Sequence, residues 1–172
     1  MLLNAPVSEA NYRPMAGIYG VIGQNDEAVT SPAYATGLRS ALEQIFKSSF
    51  WLTKARFADA RQRLNATASL AKGWDSYDSE PPNAAARDLA AKILNVLEAA
   101  ALAPTQLTPT VEGGIALSFV EGRSRAVIEV YNSGEIAVAT YSDRGEPAVW
   151  DVEPADAPLL HSIEQIRVHL AA

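Results

Sequence analysis

The residues best suited to chemistry lie in one short stretch, Gly73-Trp74-Asp75-Ser76-Tyr77-Asp78-Ser79-Glu80-Pro81-Pro82. Carboxylates at 75, 78 and 80 are hard oxygen donors. Together they suit a divalent ion such as Mg²⁺ or Ca²⁺, or an acid/base pair with Tyr77 as proton donor. Asp75, Asp78 and Glu80 are therefore the metal candidates of the chain. Their spacing departs from the calcium-loop pattern of acids at alternate positions around a central glycine. The competing role is structural. An aspartate in a turn accepts hydrogen bonds from backbone amides, Trp74 and Tyr77 wedge the loop against the core, and Glu80 sits near the positive end of the helix that follows. The expectation is a structural loop with no cofactor. Trp74 and Tyr77 are its candidate contacts for a partner.

Other chemistry finds little footing. The chain has no cysteine, which removes disulfides, thiol nucleophiles and thiolate metal ligands. His161 and His169 are its two histidines. Eight residues apart on one helix, they stand ~12 Å apart along its axis, too far to share an ion. Gly17, Gly20 and Gly23 do not form Gly-x-Gly-x-x-Gly, and neither a phosphate-binding loop nor a Gly-x-Ser-x-Gly elbow occurs.

The chain is 172 residues long, is 48% hydrophobic and carries a net charge of -6. That length fits one domain with a true core. An acidic surface repels phosphate backbones and disfavours general nucleic-acid binding. Lys54, Arg56, Arg61 and Arg63 form the one basic cluster, and a solvated helix face accounts for it. No apolar run reaches the ~20 residues that cross a bilayer, and the N-terminus lacks a signal-peptide pattern. The expected location is cytoplasmic, with no membrane partner.

Hydrophobic periodicity divides the chain in two. Residues 1–30 lack periodicity and read as an arm of low intrinsic order; 31–172 read as a single domain. Ser31 as cap and Pro32 as first residue start a helix. Tyr34, Leu38, Leu42, Ile45, Phe57, Ala60 and Leu64 carry it to about residue 72 as one bent helix, or as two joined near Ser48, with Gly73 as the stop. Asn83 caps a helix over about 84–102, ended by Pro104. From residue 108 the period becomes two. Ile115, Leu117, Phe119, then Ala126, Ile128, Val130, then Ile136, Val138, Thr140 alternate with outward residues and are separated by short turns. Thr108 to Val111 and Ala148 to Val152 add flanking strands, with Pro109 suited to an edge. A last helix spans about 155–171. The fold class is α+β: N-terminal helices, an antiparallel meander of four to five strands, and a C-terminal helix packed on the sheet.

The Gly73-Trp74-Asp75-Ser76-Tyr77 run with Glu80-Pro81-Pro82 resembles the hallmark of a group of small bacterial proteins without a known activity. In them a GWD-x-Y stretch precedes a Pro-Pro pair, a helix and a TPDGG turn opening a β-meander. The matching turn here is Thr108-Pro109-Thr110-Val111-Glu112-Gly113-Gly114, where Gly113-Gly114 carry the match. The resemblance covers roughly residues 70–141 and implies accessory or defence-type genes.

Aromatics supply the last signal. Phe46, Phe50, Trp51 and Phe57 crowd one span of a helix whose apolar arc is wider than one packed stripe requires. With Trp74 and Tyr77 they are the candidate partner-binding residues. The expected function is a non-catalytic protein-interaction module in a bacterial operon: an antitoxin, an immunity factor or an accessory subunit. Its partner is another protein or a second copy of itself. The alternative is a divalent-metal-dependent enzyme or small-ligand-binding domain built on Asp75, Asp78 and Glu80.

Overall fold

The computed structural model describes residues 32–143 and 145–172, with side chains from residue 36 onward. Ser31 and the 1–30 arm lie outside the described residues. The elements run α1 (Pro32–Ala66), a 3-10 turn (Thr67–Ser69), α2 (Ala84–Ala99), β1 (Gln106–Thr110), β2 (Gly114–Glu121), β3 (Ser124–Tyr131), β4 (Ile136–Ser142), β5 (Gly145–Val152) and α3 (Asp156–Ala171). This is the α+β arrangement that the change of period predicts. The chain divides into two compact units, the first ending at Phe46 and the second running from Lys47 to Ala172. Helix α1 contributes to both. Among the described residues, no helix is long and apolar enough to cross a membrane.

The strands form a five-stranded antiparallel sheet in simple order β1-β2-β3-β4-β5. Short turns leave each strand no neighbour but the next, so the sheet is a meander. The period of two decides the faces. Leu107, Ile115, Leu117, Phe119, Ala126, Ile128, Val130, Ile136, Val138 and Val152 are buried. The alternate residues Ala116, Ser118, Val127, Glu129, Ala137 and Ala139 are half-exposed on the opposite face. Helix α2 lies against β2 and β3, and α3 against β2 to β5 and against α2. Both cover the same apolar face.

Proline marks both rims. Pro109 lies in β1 opposite Ile115, and Pro147 lies in β5 beside the irregular pairing between Thr140 and Ser142. A residue without an N–H is tolerated at an edge or bulge and nowhere else in a sheet.

The helices obey their caps. Asn83 Oδ1 accepts from the Ala86 amide at 2.9 Å and starts α2 as its residue type predicts. Ala86, Ala90, Ile93, Leu94 and Leu97 form its buried stripe. In α3 the buried residues are Leu159, Ser162, Ile163 and Ile166, while Leu160 falls off that face and is exposed. Trp150 Nε1 donates to Ser162 Oγ at 3.2 Å, and Arg167 donates to the Ala100 carbonyl. These bonds seat α3 on β5 and on the end of α2.

Of the two arrangements expected of α1, the single helix is the one observed, and it departs from expectation at its end. Ser48-Ser49 do not break it; the ladder runs through, and Thr53 Oγ1 donates to the Ser49 carbonyl at 3.0 Å. It also ends at Ala66, well before Gly73. Thr67 is buried and its hydroxyl donates to the Leu64 carbonyl at 2.7 Å, a local bond that competes with the helical ladder. Helix α2 likewise ends at Ala99, short of residue 102, with Ala101 at φ 54.

Candidate functional site

The loop 73–83 is built around Asp75. Its Oδ1 accepts from the amides of Tyr77 (3.0 Å) and Ser79 (3.3 Å), and its Oδ2 accepts from Ser79 Oγ at 2.6 Å. The Gly73 amide donates to the Ser79 carbonyl at 2.9 Å and closes the loop. Such closure needs left-handed backbone, which Gly73 (φ 76), Ser76 (φ 68) and Asp78 (φ 66) provide. Gly73 is thus a loop residue, not the stop of α1.

The other two carboxylates face elsewhere. Lys72 Nζ lies 3.0 Å from Glu80 Oε1 and 3.7 Å from Asp78 Oδ2, all on exposed side chains. Among the described residues, no group of three acidic or histidine side chains converges in a way that would hold an ion. The loop's acids are spent on its own backbone and on one lysine.

Ser79 holds the Asp75 carboxyl below its ordinary value of 3.8. The side-chain bond from its hydroxyl is the largest cause; the Tyr77 and Ser79 amides add to it, and partial burial opposes it. The unfolded chain takes up this proton at the ordinary value and the folded loop only at lower pH. The carboxylate's contribution to folding is therefore complete above 3.8 and lost as pH falls through the lower folded value. Asp75→Asn is expected to abolish that acid-side dependence. The check is a pair of urea unfolding series, wild type and variant, from neutral to acid pH. Their stability difference should shrink as pH drops, and a constant difference would show that the carboxylate has no such role.

The loop is tied to the sheet by residues far away in sequence. The Asn83 amide donates to Asn132 Oδ1 at 2.7 Å, Asn83 Nδ2 to the Asn132 carbonyl at 2.9 Å, and Asn132 Nδ2 to the Pro81 carbonyl at 3.1 Å. The Asn132 amide in turn donates to the Gly113 carbonyl at 3.2 Å. The Trp-Asp loop, the Gly113-Gly114 turn and the β3-β4 turn therefore meet at one end of the sheet. Sequence reasoning missed Asn132; in a turn reading Asn132-Ser133-Gly134 it is indistinguishable from an ordinary turn residue. Trp74 is half-buried and its Nε1 has no partner among the described residues. Tyr77 is 87% exposed.

The aromatic group on α1 splits. Phe57 is 3% exposed and belongs to the core with Ala60, Leu64, Ile93 and Phe119. It is therefore a packing residue and not a surface contact. Phe46 (73%), Phe50 (56%) and Trp51 (66%) are exposed, as are Leu38, Leu42, Ile45 and Leu52. Every described side chain from Thr36 to Leu52 is exposed. Phe50 and Trp51 meet edge to face with centroids 5.9 Å apart, and Lys54 Nζ stands 4.9 Å from the Phe50 centroid.

Of the basic cluster Lys54, Arg56, Arg61 and Arg63, two members are ion-paired. Arg61 Nη2 donates to Asn95 Oδ1 (2.9 Å) and Glu98 Oε2 (2.6 Å), which ties α1 to α2. Arg63 pairs with Asp59 at 2.7 Å. His169 Nε2 lies 3.0 Å from the Tyr141 carbonyl, and His161 is exposed on α3. Comparison with protein-family models, with curated proteins and with solved structures finds no match to this chain.

Proposed function

We propose that this is a non-catalytic protein-interaction module whose contact residues include the exposed aromatics of α1, Phe46, Phe50 and Trp51. One observation carries it: Phe46, Phe50 and Trp51 on α1 are each more than half exposed. Isolated helices are marginal in water and gain most of their stability by packing an apolar face. Large aromatic side chains left exposed in one short stretch mark candidate association sites. An antitoxin, an immunity factor or an accessory subunit would need such a surface and no chemistry of its own. The metal-dependent alternative loses its motivation, because Asp75 is occupied by Ser79 and Tyr77 and because Asp78 and Glu80 face Lys72.

A photo-crosslinking residue at Phe46, expressed in the native host, tests the surface without prejudging its occupant. A discrete adduct at Phe46, and none from the same probe at exposed Glu121, is the expected outcome. No adduct at Phe46 would leave the exposed run without a binding role.

A further inference from the structure

The alternation that buries one face of the sheet sets a second group of side chains on the other, away from α2 and α3. We infer that this second face pairs with the same face of another copy of this chain. Ala116, Val120, Val127, Ala137, Ala139 and Val149 lie on it, with Val120 45% and Val149 68% exposed. The solvent side of an antiparallel sheet is ordinarily polar. An aliphatic centre on that side is surface left to cover. The inference stands apart from the reading of α1, because every residue it uses belongs to the unit that runs from Lys47 to Ala172.

Register sorts these side chains into rows across β2, β3 and β4. One row is Ala116, Glu129 and Ala137, and another is Val120, Arg125 and Tyr141. Between them runs a row of Ser118, Val127 and Ala139. A two-fold axis along that middle row, between two facing sheets, reverses the strands and sets β3 upon β3. Ala116 of one copy then meets Val120 of the other, Glu129 meets Arg125, and Ala137 meets Tyr141. Small side chains receive large ones and each carboxylate receives a guanidinium, twice over by symmetry. A patch that complements itself under a two-fold is what an isologous dimer requires.

The charges are available for that contact. Arg125 is exposed, and its guanidinium has no ion pair or hydrogen bond among the described residues. Glu129 of the same copy stands ~13 Å along the strand, beyond Val127. Its Oε2 accepts from the Tyr131 hydroxyl at 3.1 Å, and a carboxylate takes donors on both oxygens. Acids crowd that end of the face. The Tyr131 phenol is pushed above its ordinary value of 10.0, by burial first and then by Glu129, Glu112 and Asp151. A guanidinium from the facing copy offsets that crowding. Area supports the pair as well. Five strands of five to eight residues, at about 4.8 Å per strand and about 3.3 Å per residue, span on the order of 24 by 23 Å. Two facing sheets cover roughly 1,100 Å² in projection, against the ~1,000 Å² that a specific interface must clear.

Charge reversal on the full chain tests the axis. Sedimentation of the unaltered chain is expected to give twice 18.4 kDa. Arg125→Glu alone, or Glu129→Arg alone, sets like charges together at both symmetry-related contacts and should weaken the pair roughly 100-fold. An equimolar mixture of the two variants should pair again, because every contact between unlike chains then joins opposite charges. Thermal unfolding of each variant separates lost folding from lost pairing, and a misfolded chain could not give recovery on mixing. A monomer at all accessible concentrations would overturn the pair, as would a dimer indifferent to both variants or a mixture that stays monomeric. A dimer lost in Phe46→Ala but kept in both charge variants would place the self-contact on α1 and overturn the sheet pair. A monomer that still gave the Phe46 adduct would remove the sheet pair and leave the reading of α1 standing.

Discussion

Replacing Phe57 with alanine should lower the unfolding free energy by about 3–5 kcal/mol, with a fall in Tm of roughly 6–20 °C. Phe57 lies on the same helix as Phe46 and Phe50, in the same periodic pattern, yet it is 3% exposed where they are more than half exposed. Deleting it leaves a ring-sized void in the core cluster to which Ala60, Leu64, Leu97 and Phe119 also belong. The surrounding sheet and helix cannot collapse fully into that void, so the cost exceeds simple transfer of the ring to water. Phe46→Ala, at 73% exposure, should change stability by no more than about half a kcal/mol in a dilute sample. Urea unfolding of both variants, followed by tryptophan fluorescence, measures the contrast. Equal costs at the two positions would mean that α1 does not dock where Phe57 places it.

Gly114→Ala should cost at least about 2 kcal/mol. Gly114 opens β2 and pairs with Thr110 on one side and Tyr131 on the other. Its φ is +155, and a Cβ built there runs into the Val130 carbonyl oxygen, with Thr110 Oγ1 and Tyr131 Cα each 3.2 Å away. The obstacle is backbone of the neighbouring strand, so relief requires parting β2 from β3. That movement would also disturb Asn132, whose amide bonds the Gly113 carbonyl and whose side chain holds the start of α2. Gly122→Ala is the control. Its φ is +56 with nothing within 4 Å, so only local strain of about 1–2 kcal/mol applies. Hydrogen exchange should show the Asn83 amide losing protection in Gly114→Ala alone. Unchanged protection in both variants would mean that the glycine turn and the loop are not coupled.

What could be read in the sequence was local. The strands announced themselves because a period of two in Ile115-Leu117-Phe119 and its successors has one physical solution, a sheet with one face buried. Asn83 was legible as a cap because its side chain serves an amide three residues on. Pro109 was legible at an edge because it lacks a donor. The misses were decided by partners distant in sequence or by competition between local bonds. Helix α1 ends at Ala66 because Thr67 turns its hydroxyl back to Leu64, although residues 67–72 carry no breaker. Phe57 and Phe50 look alike in sequence and separate only where the core ends. Asn132 joins the candidate loop through bonds spanning some fifty positions, which no spacing rule encodes. The acids of the loop were visible as residues, but not their employment: Asp75 folds the loop and Lys72 takes the others.

The prolines at the two rims bear on how copies of this chain can accumulate. A meander has open borders, and an open border is the template on which fibrils grow strand by strand. Pro109 and Pro147 each remove a donor from a border strand, and the irregular pairing beside Pro147 spoils the flat register that stacking needs. End-to-end propagation through the strands is thereby discouraged at both borders. A chain with exposed apolar side chains elsewhere is correspondingly less prone to seed amyloid through its strand borders.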